Sequence, residues 1–86
     1  MLDPKAGERA ALGARCRELA QSPMFTEAVS SLDLEYREAI VRTAPADNER
    51  REQLYLEYHG LFRVVSKLKS WEQDGVLAQA ELESEQ

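Results

Sequence analysis

Projected at 100° per residue, the apolar positions of this chain fall into helical stripes and show no strand pattern. From Pro23 onward, Phe25, Ala28, Val29, Leu32, Tyr36, Ala39 and Ile40 share one face, with Asp33/Arg37 and Glu38/Arg42 as i,i+4 ion pairs outside it. Leu34 and Val41, seven residues apart, point to the opposite side. Further on, Leu54, Tyr58, Leu61, Val65 and Leu68 centre a second stripe, which Tyr55 and Phe62 widen on one edge and Val64 and Trp71 on the other. That arc spans about 200°, roughly twice what a helix lying on one surface needs. The N-terminal third carries only a narrow stripe of Leu12, Cys16 and Leu19. Alanines dilute it, and Gly7 and Gly13 each cost a helix interior up to about 1 kcal/mol relative to Ala. Such a helix depends on tertiary support. With no period-two alternation bounded by turn residues, the fold class is all-α.

Proline and its neighbours set the boundaries. Asp3-Pro4 and Ser22-Pro23 each place a capping side chain before a proline at the first helical position, where the missing N–H costs nothing. Pro45 forbids helix at Ala44, after which Asp47 or Asn48 offers a new cap with Glu49 in the first turn. Gly75 fits a left-handed residue ending that third helix, with Val76 folding back on Trp71. The expectation is a single helical domain over residues 1–86, with helices at about 4–21, 23–43, 48–74 and a short 76–83. It is a small helical bundle built on a long antiparallel helix hairpin, with a weaker N-terminal helix and a short C-terminal helical tail. The second helix covers the centre of the wide arc; the edges are left to the first helix, the tail or another chain. Gly60, near Val64 and Trp71 on the wheel, allows a close helix approach there.

Charge adds one asymmetry. Residues 1–71 balance eleven basic against eleven acidic side chains, so the net charge of −5 lies wholly in "EQDGVLAQAELESEQ". A neutral body with an acidic end is not built to grip nucleic acid, which needs clustered Lys and Arg on one face. It suits a basic protein patch better, and Glu81, Glu83 and Glu85 are the candidates for that contact. Arg50, Arg51, Arg63, Lys67 and Lys69 keep a DNA-binding protein among the readings, although basic side chains late in a helix answer its dipole without any ligand. No apolar run approaches the roughly 20 residues of a membrane span, and "MLDPKAGERA" has no signal-peptide core, so a cytoplasmic protein is expected, or one in an assembly built in the cytoplasm.

Candidates for chemistry are sparse. Cys16 is the single cysteine and sits on an apolar stripe, and His59 is the single histidine, without the companions a metal site requires. Carboxylate pairs such as Glu35/Glu38 and Glu49/Glu52 lie on solvent faces, and the four glycines are too scattered for a phosphate loop. These residues support no enzyme, no cofactor, no metal and no small-molecule substrate.

One stretch, residues 22–83, carries a resemblance. Pro23 with Phe25, the turn Thr43 to Asp47, the helix opening Arg51 to Tyr55, less strictly spaced, and the late Gly75 to Ala78 are similar to motifs of short uncharacterised helical proteins encoded in tailed-bacteriophage and prophage genomes. The abrupt acidic end after the last motif departs from that pattern. The resemblance covers about three-quarters of the chain and implies virion assembly or DNA packaging by association alone. The residues themselves point to a non-catalytic, oligomeric protein–protein interaction module. Leu34, Val41, Tyr55, Tyr58, Phe62, Val64 and Trp71 are its contact groups, binding a protein partner, a second copy or both. The alternative is a phage-encoded inhibitor or adaptor that lays its acidic C-terminal segment on a basic host protein.

Overall fold

A computed structural model describes residues 5–85 of the chain. They form three helices, α1 (Ala6–Gln21), α2 (Pro23–Val41) and α3 (Asn48–Ser84), with no strand among them. The architecture is all-α. The Asp3-Pro4 cap lies outside the described residues. α1 and α2 follow each other end to end and run antiparallel to α3, so the molecule is a long two-armed hairpin whose first arm is broken at Ser22. Its Cα atoms extend over 62 × 26 × 13 Å, one helix thick in its shortest direction.

The break between α1 and α2 is held in place. Ser22 is extended (φ −67°, ψ 124°), its N–H donates to Leu19 O at 3.0 Å, and Pro23 opens α2. The Ser22 side chain makes no capping bond, in contrast to the sequence expectation. Instead, the Thr26 hydroxyl donates to Ala20 O at 3.3 Å, satisfying one of the carbonyls that the end of α1 leaves bare. At the other bend, Asp47 is the cap of α3 and its carboxylate accepts from Arg50 N–H at 3.1 Å. Arg51 ties the turn together: its guanidinium donates to Thr43 Oγ1 at 2.9 Å, Asn48 Oδ1 at 3.0 Å and the carbonyls of Ala44 (2.8 Å) and Pro45 (3.4 Å).

The main correction concerns Gly75. It does not end a helix: α3 runs unbroken for 37 residues, through Gly75, to Ser84, and none of the described residues has a positive φ. The separate tail helix expected at 76–83 is the last part of α3. Gly75 is buried because it meets Gly13 of α1 backbone to backbone. A Cβ at Gly13 would lie 2.6 Å from the Gly75 Cα and 2.9 Å from Trp71 O; one at Gly75 would lie 2.7 Å from the Gly13 Cα and 3.1 Å from Arg9 O. Two glycines that look like defects in isolated helices are what lets these helices touch. By contrast, a Cβ at Gly60 would meet nothing within 4 Å, so no close approach occurs there within the chain.

The crossing also rotates the buried side of α1 away from the expected stripe. Ala6, Gly13 and Cys16 are buried, whereas Leu12 and Leu19 are each 40% exposed. On α3 the seam keeps a seven-residue step through Leu54, Leu61, Leu68, Gly75 and Leu82. Its companion positions change side: Tyr58 and Val65, four residues after the repeat, are half-buried opposite α2, while Ala78, three residues after it, is buried in the half that α1 covers. α3 thus turns a different flank to each half of the broken arm. Ion pairs follow the same seam, with Arg9 on Asp74 (2.9 Å) and Glu81 (3.4 Å), and Arg17 near Glu72 at 3.7 Å.

Alanine at position 13 or 75 is therefore expected to destabilise the protein by about 1–3 kcal/mol through backbone overlap, despite alanine's better helix propensity. Gly7→Ala, with open space around its Cβ, should be neutral or stabilising by up to about 1 kcal/mol. Denaturant unfolding followed by circular dichroism distinguishes the three variants. In the same assay, Arg51→Lys should lose about 1–3 kcal/mol, since an ammonium cannot reproduce a planar fork reaching four acceptors.

Candidate functional site

A two-helix hairpin has a seam and two broad faces. Because α2 and α3 are antiparallel, side chains displaced to the same rotational sense from the seam emerge on the same face. On one face are Ser30, Asp33 and Arg37 of α2 with Tyr55, Tyr58 and Phe62 of α3. On the other are Ala28 and Leu32 with Gly60, Val64, Lys67 and Trp71. The tyrosine face and the tryptophan face differ in chemistry.

The tyrosine face closes itself. The Tyr58 ring stacks on Tyr36 (centroids 5.6 Å apart, planes at 27°) and tilts against Phe62 at 4.8 Å. Its hydroxyl donates to the Asp33 carboxylate and accepts from Arg37 Nε at 3.2 Å, while Arg37 and Asp33 pair at 3.2 Å. The hydrogen bond to Tyr58, and then the charge of Asp33, raise the pKa of the Arg37 guanidinium above its ordinary value. Tyr58 is therefore a bridge between arms, half-buried and fully engaged. Tyr55 and Phe62 stand at its margin, exposed, and Leu34 and Val41 point outward beyond it, with Val41 83% exposed.

The tryptophan face is left open. In the middle of α3, opposite the break between α1 and α2, Gly60, Arg63, Val64, Lys67, Leu68 and Trp71 line a groove of about 460 Å³ built from this one helix. Val64 is 58% exposed and Trp71 and Leu32 are each 40% exposed. The Lys67 ammonium stands 6.0 Å from the centre of the Trp71 ring at the groove's rim. Leu32, taken as core from the wheel, was missed as a surface residue. It is exposed because α2 covers α3 with Phe25, Val29, Tyr36 and Ile40, one position round.

The acidic end is partly spent inside the molecule. Glu81 pairs with Arg9, and Glu83 lies within reach of Gln79 at 3.3 Å. The C-terminal half of α3 meets α1 along a second groove of about 440 Å³, lined by small and charged residues including Ala10, Arg17, Glu72, Val76 and Glu83. The structure thus distributes the expected contact residues over three places: Leu34, Val41, Tyr55, Tyr58 and Phe62 on the tyrosine side, Val64 and Trp71 on the tryptophan face, and Glu81, Glu83 and Glu85 at the far end.

Cys16 is buried in the α1–α3 seam, level with Trp71 and Glu72, and His59 is exposed on α3 twelve residues earlier, about 18 Å along the helix axis. The two are not brought together. Among the described residues no three His, Cys, Asp or Glu side chains could hold a metal ion, and no helix is long and apolar enough to cross a membrane. No protein family, characterised protein or solved structure matches the chain.

Tyr58→Phe keeps both ring contacts and removes the bonds to Asp33 and Arg37. It is expected to cost about 0.5–1.5 kcal/mol in urea unfolding, whereas Tyr58→Ala should cost about 2 kcal/mol or more, because the ring packing goes as well.

Proposed function

We propose that this chain is a non-catalytic protein–protein interaction module that binds a second copy of itself or another protein through its uncovered apolar face. The observation that carries the reading is the surface. The chain exposes 6843 Å², whereas a compact monomer of its 9.8 kDa exposes about 5,200 Å². Among the described residues only Ala6, Cys16, Leu54 and Ala78 are buried apolar side chains, and no large side chain is fully covered. A hairpin of two arms has nowhere to place a third layer, so the exposed apolar groups await another chain. The resemblance to phage-encoded helical proteins suggests phage particle assembly or DNA packaging as the setting. For the adaptor reading, the engagement of Glu81 and Asp74 by Arg9 leaves less of the acidic end available to a host protein.

Light scattering across a concentration series, combined with binding of a hydrophobic dye, tests the reading. Association, or a monomer that binds the dye strongly, is expected. A monomer at every concentration that binds no dye would mean the apolar face is covered in solution, and the proposal would fall.

A further inference from the structure

The tryptophan face has a length, a charge pattern and a groove, and together they specify its occupant. The surface in excess of a compact monomer is about 1,600 Å². A stable dimer needs about 800 Å² from each partner, about half of that excess, so one face of the hairpin has enough surface for a second hairpin to cover. Stacking two hairpins face to face gives four helices around a shared core, the smallest arrangement in which every arm has neighbours on two sides.

Two twofold stackings are available. In one, α3 lies on α3 of the second copy; in the other the axis runs along the hairpin and α2 of each copy lies on α3 of the other. Charge separates them. Asp33, Arg37, Glu38 and Arg51 are engaged within the chain, so the charges that bear on this face are Arg63 and Lys67, which line the groove on α3, and Glu27 and Glu35 of α2. Laying α3 on α3 about the groove sets Arg63 and Lys67 of one copy against the same residues of the other, whereas laying α2 on α3 brings Glu27 and Glu35 towards them. The second stacking also keeps the axial register already present within the hairpin, where Asp33 stands opposite Tyr58 and Val29 lies beside Leu61 and Val65. In that register Leu32, Ala28 and Phe25 of one copy come level with the groove that Gly60, Val64, Leu68 and Trp71 form on the other.

We infer that the partner of the tryptophan face is a second copy of this chain, stacked about a twofold axis parallel to the helices, with α2 of each copy seated in the Gly60–Trp71 groove of the other. The inference rests on the association reading above and names its partner and geometry. Gly60 has its role here: the open space over its Cα, unused within the chain, admits Leu32 of the second copy. The contact is isologous, so it occurs twice and closes at two subunits.

Cysteine cross-linking tests it in the Cys16→Ala background. Chains carrying Ala28→Cys and chains carrying Val64→Cys, which that register sets level, are refolded together and oxidised. A covalent dimer joining the two kinds of chain is expected, with little product from either kind alone, and with Leu34→Cys paired with Tyr55→Cys giving none. Efficient Val64→Cys homodimers, or cross-linking through the tyrosine face, would overturn the arrangement. Small-angle scattering on the unmodified protein should give twice the chain mass with a longest dimension still near 62 Å. A dye-binding monomer would remove the second copy while leaving the interaction reading in place. Leu32→Glu should convert the dimer to a monomer; where that variant fails to fold, the cross-linking result decides.

Discussion

The contact of Gly13 with Gly75 governs how the rest of the molecule is laid out. With no side chain on either residue, the α1 and α3 backbones meet directly, and only small groups such as Ala6, Cys16 and Ala78 fit in the flanks of the crossing. Contact this close buries little apolar area per residue, so its strength comes from many short backbone contacts and from Arg9 and Arg17 reaching across to Asp74, Glu81 and Glu72. It also excludes Leu12 and Leu19 from the seam, because a helix that approaches through glycine cannot approach through leucine. The exposed leucines of α1 are a direct result of the glycine crossing.

The other half of the hairpin is built on the opposite principle. Between α2 and α3 lie rings and branched side chains, Phe25, Val29, Tyr36 and Ile40 against Leu54, Tyr58, Leu61 and Val65, which hold the helices further apart. A single straight partner could not satisfy both spacings. The interruption at Ser22-Pro23 lets the first arm change its distance and its flank on α3, and the Thr26 hydroxyl repairs the carbonyl that the interruption exposes. α3 stays continuous because only one of two antiparallel arms has to bend.

Much of the layout was legible in the residues. Ser22-Pro23 and Thr43–Asp47 marked both bends, Asp47 was one of two named caps, and Leu54, Tyr58, Leu61, Val65 and Leu68 face the first arm as their period implied. What the sequence hid was the meaning of glycine. Gly75 follows Asp74 at the end of a strong apolar run, the pattern of a helix stop, and only the presence of Gly13 across the seam makes it a continuation. Periodicity within one helix carries no information about which glycine on another helix it will meet. Leu32 was hidden for a related reason: a stripe on a wheel gives the apolar side of a helix but not the angle at which a partner meets it, and a shift of one position moved Leu32 to the surface. The seven-residue series through Gly75 to Leu82 was the available signal that α3 continues.

The separation of the two seams along the chain has a consequence for how the protein is made. The turn at Thr43–Asp47 joins neighbours in sequence, so α2 and the first half of α3 can zip together from that turn by closing small loops. α1 has no such local partner. Its glycine-bearing face is complementary only to residues some sixty positions later, and during synthesis it waits, weakly helical, until Gly75 and Ala78 have emerged. The crossing that organises the finished molecule can therefore close only after most of the chain has been made.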